Sequence, residues 1–422
     1  MNTGKHMPAD VTALITDADG GDIDAQLQLA DLYENGLGVP LNPGQAAFWY
    51  QKAAEAGSAR AQTRLGQIYI KGNGVPEDHV TAVRWLKLAA EQDEPSAQAD
   101  LAWCYQKGTG LQKDIRQAFE WYLRAASLGH AGARYNLGYM YANGYGVDRN
   151  DAEALKWYTK AAEQGHVKAK LNAGLMYVQG IGTEKKLAEG ARLYLEAARQ
   201  GYAKAQYNLA LMYAGGHGVE QSDEEAFIWQ HKAAQQGYAR AQFNLGLLYI
   251  HGLGTQQDYK KAIKWLKLAA DQNYGKAYYQ LGKLYATGSG TDINEIEAAR
   301  YYQLAAESGY AKAQYRLGRL YDKGQGVMQD HKIAAEWYLK AANQGNTRAQ
   351  YVLGVHYAKG KGVEKNLIWA HAWLSLAQVS KNPLYAEVLD KVSRGMNKEQ
   401  IKEARKLAAY WQEDLPLISE GR

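Results

Sequence analysis

Cysteine is nearly absent from this sequence, and proline and phenylalanine are scarce. The single cysteine, Cys104, excludes an internal disulfide framework and any metal site built from several thiolates. A lone cysteine suits a reducing compartment. Only 7 prolines and 4 phenylalanines occur in 422 residues, so the aromatic content consists mainly of tyrosine and tryptophan.

Strong net charge and long apolar runs are missing as well. The 49 Lys and Arg residues and the 44 Asp and Glu residues give a formal net charge of +5. For a chain of this length, that net charge is too small to indicate nucleic-acid binding by itself. No apolar run reaches 18 residues, so a membrane span is not expected. The first 20 residues lack the apolar segment and cleavage site of a secretory signal. We therefore expect a cytoplasmic protein, unless a signal-independent route exports it.

What the sequence does contain is a period of 36 residues, repeated ten times. A tyrosine recurs from Tyr33 and Tyr69 to Tyr357, and a Gly-x-Gly follows each one. An alanine leads each unit, from Ala25 to Ala349. Length alone would suggest two to four domains. Because the 36-residue spacing is kept over ten copies, the sequence indicates a single array of repeats instead.

Each unit predicts two helices. In the fourth unit, Ala133, Leu137, Met140 and Tyr141 fall on one face of a helix, and a glycine-rich turn beginning at Gly144 ends it. The second helix of nine units begins at a side chain whose oxygen can cap the first turn, and Lys186 is the exception. These capping residues are Asn42, Asp78, Asp114, Asn150, Ser222, Asp258, Asn294, Asp330 and Asn366.

The second helix ends at residues that tolerate a left-handed backbone, which are glycine in most units. They are Gly57, Asp93, Gly129, Gly165, Gly201, Gly237, Asn273, Gly309 and Gly345. A pair of alanines precedes each end, as at Ala53 and Ala54, and lets neighbouring helices approach closely. A single hairpin cannot bury this face, but stacked hairpins can.

Units such as Ala205–Tyr213, followed by Gly216–Val219 and then Ala233 and Ala234, resemble Sel-1-like repeats. These are 36-residue relatives of the tetratricopeptide repeat, and the resemblance covers roughly residues 21–380. It implies an all-α fold, a right-handed superhelical solenoid of antiparallel helix pairs, and a role in organising protein complexes.

The predicted domain organisation follows from this resemblance. Ten units start near residues 22, 58, 94, 130, 166, 202, 238, 274, 310 and 346 and fill residues 21–382. Residues 1–20 are predicted to form an N-terminal extension with a partial cap helix, and residues 383–422 the C-terminal capping helices and a tail.

Catalytic chemistry has no recognisable constellation here. The Gly-x-Gly pairs recur at every hairpin and do not continue as Gly-x-Gly-x-x-Gly, so they indicate turns rather than a phosphate loop. No Ser-x-x-Lys, Ser-Asp-Asn or Lys-Thr-Gly supports a penicillin-type cell-wall enzyme. His130 and His166 lie one repeat apart, but no carboxylate or thiol completes a metal set. We predict no enzyme activity, metal or cofactor.

In the resembled solenoids, the first helix of each unit lines a concave surface, and three columns of residues spaced by one repeat lie there. The first column is mostly aromatic: Tyr135, Leu171, Tyr207, Phe243, Tyr279, Tyr315 and Tyr351. The second column is apolar and then basic: Trp103, Tyr139, Leu175, Leu211, Leu247, Lys283 and Arg319. The third column is basic: Lys168, Lys204, Arg240, Lys276, Lys312 and Arg348. The first unit instead offers Asp24, Asp31 and Glu34.

These columns favour a non-enzymatic scaffold or adaptor that binds a protein or peptide in its concave groove. The basic residues would receive an acidic segment or a free C-terminal carboxylate. Two other interpretations stay open at this point. The tyrosines and leucines can simply pack one helix on another, and the lysines can equally be solvated helix surface whose aliphatic stems cover apolar neighbours. Tyrosines interleaved with lysines can also bind single-stranded nucleic acid. The low net charge and the acidic first unit disfavour nucleic acid.

Overall fold

A computed structural model describes the backbone of residues 9–414 and the side chains of residues 11–411. The first eight residues of the predicted N-terminal extension and the last eight of the predicted tail lie outside the described residues. Within that range the protein is entirely helical, with 23 α-helices, one 3₁₀ turn and no strand. The predicted all-α fold of paired consecutive helices is confirmed.

The helices are α1 Ala9–Asp19, α2 Ile23–Asn35, α3 Pro43–Glu55, α4 Ala59–Lys71, α5 His79–Ala90, α6 Pro95–Lys107, α7 Ile115–Ser127, α8 Ala131–Asn143, α9 Asp151–Glu163, α10 Val167–Gln179, α11 Leu187–Arg199, α12 Ala203–Gly215, α13 Asp223–Gln235, α14 Ala239–His251, α15 Tyr259–Ala270, α16 Gly275–Thr287, α17 Glu295–Glu307, α18 Ala311–Lys323, α19 His331–Asn343, α20 Thr347–Lys359, α21 Leu367–Ala377, α22 Pro383–Ser393 and α23 Lys398–Asp414. The 3₁₀ turn, Gln378–Ser380, follows α21.

Hairpins of neighbouring helices are the building unit. The two helices of a repeat pack together, as α2 does on α3 and α18 on α19. The second helix of one repeat then packs on the first helix of the next, as α3 does on α4 and α19 on α20. Extensive contacts therefore stay local along the chain, which is the arrangement expected of repeat proteins.

The second helices begin and end at the residues that the sequence predicted. Asn42 accepts a hydrogen bond from the Gln45 backbone N–H at 3.1 Å, and equivalent caps recur at the other predicted positions. Lys186 makes no such bond, as its side chain has no acceptor. Asp93 and Asn273 adopt the left-handed conformation, with φ of 59° and 60°, where other repeats have glycine.

Close packing inside a hairpin depends on a glycine in the first helix. A Cβ added at Gly318 would lie 2.7 Å from the ring of Tyr338 on the partner helix. Tyr338 is one of the most completely buried large side chains, with 1% of its surface exposed. The glycine therefore lets α19 approach α18 closely enough to bury a tyrosine between them.

A buried glutamine ties consecutive hairpins together. Gln314 donates to the carbonyl of Ala306 at 3.1 Å, so the first helix of one repeat is bonded to the double alanine of the preceding one. Gln344 in turn donates to the Gln314 side-chain oxygen at 2.7 Å. Equivalent bonds to the carbonyl are made by Gln62, Gln98, Gln242 and Gln350. These bonds satisfy polar groups that the stacking buries.

The last repeat is covered by α22 and α23, which do not follow the repeat pattern. The ring of Trp411 on α23 lies 5.3 Å from that of Trp369 and 4.4 Å from that of Trp373. Ala404 is completely buried on the same face of α23. At the other end of the described chain, α1 packs on α2.

The described chain divides into two compact parts, each containing several repeats. We call these two parts the first unit and the second unit, and a single 36-residue segment a repeat. The first unit ends at Ala205 and includes His217–Glu220, and the second comprises Gln206–Gly216 and continues from Gln221. None of the described helices combines the length and the apolar character that crossing a membrane requires.

Candidate functional site

A cleft of about 480 Å³ opens in the second unit, where α16, α18 and α20 meet. The first part of its lining comes from α16 and α18 and consists of Tyr279, Lys312, Tyr315 and Arg316. The second part is the segment that leads into α20 together with its first residues, namely Gly345, Asn346, Thr347 and Arg348. Four of these residues, Tyr279, Lys312, Tyr315 and Arg348, are among the partner-binding residues predicted from the sequence. Arg316 and the segment around Asn346 were not predicted. The volume is in the range of ordinary ligand sites.

Local helix geometry brings the basic side chains of the cleft together. Lys312, Tyr315 and Arg316 stand at i, i+3 and i+4 on α18, so they share one face of that helix. Arg348 occupies the Lys312 position one repeat later, in the first turn of α20. Stacking one hairpin on the next therefore brings cations from two helices to the cleft that Tyr315 also lines.

The cleft is positively charged and its cations are unpaired. Lys312 and Arg348 are exposed and Arg316 is half-buried, and none forms an ion pair with any described side chain. No acidic residue contributes to the lining. An anion entering the cleft would meet up to three cations without displacing an internal partner.

First-column residues pack between consecutive repeats. Tyr135, Leu171, Tyr207, Tyr279, Tyr315 and Tyr351 are half-buried. Phe243 lies in the core with 8% of its surface exposed, so we leave it out of the proposed binding surface. Burial raises the pKa of the Tyr207 and Tyr351 hydroxyls above the usual value. Most side chains of the first column therefore make the contacts expected if they pack one helix on another.

Second-column residues are more open. In the first unit, Trp103, Tyr139 and Leu175 are 38 to 39% exposed, which is unusual for large apolar side chains at one register of successive helices. In the second unit, Leu211 is 44% exposed and Leu247 half-buried. Lys283 is exposed and Arg319 half-buried further along the same unit.

The acidic residues of the first repeat are largely neutralised by the second repeat. Asp31 pairs with Arg60 at 2.6 Å, and Glu34 pairs with Arg64. The Tyr50 hydroxyl donates to both carboxylates. Of the three acids that the sequence analysis noted in the first repeat, Asp24 is therefore the one that remains exposed and outside these pairs.

The two histidines considered as metal ligands are helix caps. The Nδ1 atoms of His130 and His166 accept hydrogen bonds from the N–H groups of Ala133 and Ala169 at 3.0 and 3.2 Å. Burial lowers the pKa of both imidazoles, which favours the neutral form that can accept these bonds. Among the described residues, no group of three or more His, Cys, Asp or Glu side chains is placed to hold a metal ion.

Cys104 lies in the core with none of its surface exposed. Burial raises the pKa of its thiol to about 12, and the nearby Asp100 carboxylate adds to the rise. At pH 8 only about one thiol in ten thousand would then be ionised. We expect no labelling of the native protein by a thiol-disulfide reagent over minutes, and complete labelling in guanidinium chloride. Rapid labelling of the native protein would show that this core opens or that the thiol is accessible.

Comparison with known proteins assigns the family. The Sel1 repeat matches ten segments, residues 23–58, 59–94, 95–130, 131–166, 167–202, 203–238, 239–274, 275–310, 311–346 and 347–377. The crystal structure of c5321, a protective antigen of uropathogenic Escherichia coli strains with an SLR fold, is similar with a TM-score of 0.86 and 34% identity, covering 98% of this chain and 89% of that one. A Sel1 repeat protein from Oxalobacter formigenes matches with a TM-score of 0.62 and 32% identity, covering 78% of this chain and 93% of that one. No curated protein matches. The chain therefore belongs to the Sel1 repeat family and has its all-helical fold of paired helices.

Proposed function

We propose that this protein is a non-enzymatic scaffold or adaptor that binds a partner protein, or a peptide segment of it, along the first helices of its repeats. Sel1 repeat proteins are commonly protein-interaction scaffolds. The observation that carries the proposal for this chain is the run of exposed, unpaired cations at one register of α14, α16, α18 and α20. The charged ends of these side chains are not needed for an ion pair with any described residue.

The charges of the second unit favour an acidic partner. Arg240, Lys276, Lys312 and Arg348 repeat at intervals of 36 residues, and all four are exposed. None of them forms an ion pair with a described side chain. Four cations kept apart from carboxylates attract an acidic segment and fix its direction along the helices.

One exposed and one half-buried apolar side chain lie in the same unit as these cations. Leu211 and Leu247 occupy the second column on α12 and α14, whereas Lys283 and Arg319 occupy it on α16 and α18. A partner segment with apolar residues at one end and acidic residues at the other would complement this order. Apolar anchors of this kind commonly supply much of the binding energy at an interface.

Nucleic-acid binding is the less favoured function because several first-column rings already contact other rings of the protein. A single strand needs a series of open aromatic surfaces on which successive bases can stack. In the second unit, Tyr207, Phe243 and Tyr279 each already contact another aromatic ring of the protein. A partner protein needs no such series.

The proposal predicts that reversing the charge of α16 removes partner binding. The double variant Lys276→Glu/Lys283→Glu changes two exposed residues outside the cleft, on the face proposed to bind. The matched control Lys260→Glu/Lys264→Glu makes the same charge change at exposed positions of α15, the second helix of its hairpin. Affinity capture from the native organism with quantitative mass spectrometry should show proteins retained by the wild type and the control and reduced about tenfold or more with the α16 variant.

An equal set of captured proteins with both double variants would contradict this binding surface. Equal melting temperatures for the three proteins are the necessary check, because exposed charges contribute little to stability. Binding of the captured partner should also weaken as salt is raised, since the cations act largely through the Coulomb attraction that salt screens.

A further inference from the structure

Most first-column residues of the second unit are covered by an aromatic ring from the following repeat. The covering ring comes 31 residues later, at the residue just before the next first helix, and we call these contacts the aromatic ladder. The pairs are Tyr207–Tyr238, Phe243–Tyr274 and Tyr279–Tyr310, with ring centroids 5.2 Å apart in each. The covering tyrosines make no side-chain cap to their own helices.

The aromatic ladder is interrupted at Tyr315. The residue 31 positions later is Asn346, whose side chain instead accepts a hydrogen bond from the Ala349 N–H at 3.0 Å and caps α20. The next column residue, Tyr351, is covered again, by Tyr385 of α22 in a stacked contact at 4.1 Å. Among the first-column rings of the second unit that the structure describes, Tyr315 is therefore the one without a covering ring.

The cleft of about 480 Å³ lies at this interruption. Tyr315 contacts the Tyr338 ring on its core side, at 6.0 Å, so its position is held by packing. Its other side faces the cleft, beside Asn346. The repeat that lacks a covering ring thus has an open space at the corresponding place.

Three cations line the cleft together with this ring. Arg316 replaces the asparagine or glutamine found at the same register in α12, α14 and α16, namely Asn208, Asn244 and Gln280. Together with Lys312 and Arg348 it brings three positive side chains to the space beside Tyr315. Guanidinium groups both receive carboxylates and stack on aromatic faces.

We propose that this cleft binds an aromatic side chain with a carboxylate beside it, carried on a peptide segment of the partner. The ligand ring takes the place of the missing tyrosine and packs on Tyr315. The carboxylate is received by Lys312, Arg316 and Arg348. This inference rests on the proposed function, because it assigns one residue of the partner to one place on the binding surface.

A peptide residue fits the cleft better than a nucleic-acid strand does. A strand would stack several bases, but the neighbouring rings already contact other rings, Tyr279 contacting Tyr310 although it also lines the cleft, and Tyr351 contacting Tyr385. One open ring with three cations around it accommodates a single aromatic group and its charge. That group is either a C-terminal aromatic residue or an internal aromatic residue next to Asp or Glu, and both supply the same chemistry.

The test uses the full chain and a library of random heptapeptides displayed with free C-termini. We expect selection of peptides that carry an aromatic residue at the C-terminus or next to an acidic residue. Titration of a selected peptide should show binding that weakens at least about tenfold when Asn346→Tyr completes the aromatic ladder. Three other repeats of this unit already carry tyrosine at that position, so the variant should fold.

A matched control separates the cleft from the helix cap. Asn346→Ser keeps a capping oxygen, as Ser58 does at the same position of another repeat, and leaves the cleft open. It should bind the peptide as the wild type does. Arg316→Gln should weaken binding and make it less sensitive to salt. Amidating the C-terminus, or replacing the acidic side chain, then identifies which carboxylate the cleft receives.

Several results would overturn the inference. They are a library that yields no binder, binders without an aromatic residue, equal affinity of the wild type and Asn346→Tyr, or tighter binding of a ten-nucleotide thymidine strand than of any peptide. A failure of this inference can be distinguished from a failure of the proposed function. If Asn346→Tyr retains the captured partner while Lys276→Glu/Lys283→Glu loses it, the binding surface stands and the assignment of the cleft does not.

Discussion

A version of this protein lacking one complete repeat should fold with the same helix content per residue as the intact chain. Deleting residues 238–273 joins Gly237 to Tyr274, and Gly237 is followed by a tyrosine in the intact chain as well. The deletion removes α14 and α15 together, so no helix is left without its hairpin partner. The folding free energy of a repeat protein is close to a sum of one contribution from each repeat and one from each interface between neighbouring repeats. The deletion therefore removes one contribution of each kind.

Removing only α14 with its turn, residues 238–257, should be far more damaging although it deletes fewer residues. The helix α15 buries Ala262, Leu266 and Ala269, and α14 supplies part of that burial. Without α14, an apolar face would be exposed and the polar tie from Gln272 to Gln242 would be lost. Losing several large buried contacts costs about 3–5 kcal/mol or more for each large side chain.

Circular dichroism and thermal melting distinguish the two deletions. We expect native ellipticity and a melting temperature lowered by only several degrees for the whole-repeat deletion, since about 1 kcal/mol shifts the midpoint of a 150–250-residue domain by roughly 2–4 °C and that of a longer chain by less. The half-repeat deletion should lose much of its helix or melt without cooperativity. Equal damage in both would contradict an array of independent hairpins.

Removing the last helix should turn the protein into an aggregating or dimerising species rather than an unfolded one. Ending the chain after Asn397 deletes α23 and its Trp411, which covers Trp369 and Trp373. Trp373 is 1% exposed in the intact chain, and Leu376 beside it is also buried. An apolar patch of several hundred Å² left open in this way promotes association.

A pair of point variants tests the same cap without shortening the chain. Ala404→Glu places a charge at a position that is completely buried against the last repeat, whereas Ala409→Glu places the same charge on the exposed side of α23. Size-exclusion chromatography with light scattering should show association for Ala404→Glu and for the truncated chain, but not for Ala409→Glu. A monodisperse truncated protein of unchanged stability would mean that α23 is dispensable.

Local sequence patterns were sufficient to determine the repeat architecture. A helix boundary depends on the residues within one turn of it, so Asn42 and its equivalents could be identified as caps, and Lys186 as the position without one. The left-handed residues Asp93 and Asn273 were identifiable for the same reason, because the backbone conformation there is a property of the residue and its neighbours.

The exposure of the predicted site residues could not be determined in this way. Phe243 and Tyr315 occupy the same column, yet Phe243 is buried and Tyr315 faces a cleft. Phe243 contacts Tyr274, which stands 31 residues further along the chain, whereas Asn346 stands at the corresponding position for Tyr315. A periodic pattern identifies which residues share a face but not what covers each of them.

Charge pairing was decided by tertiary packing as well. Asp31 and Glu34 form an acidic end in the sequence, but the stacking of α4 on the first hairpin brings Arg60 and Arg64 against them. The cations Lys312, Arg316 and Arg348 form no ion pair with a carboxylate among the described side chains. The one-dimensional order of residues therefore determined the helices and their repetition, because those depend on neighbours in the chain. Which charges are neutralised and which ring is left open depended on contacts between repeats, and only the stacked structure contains those contacts.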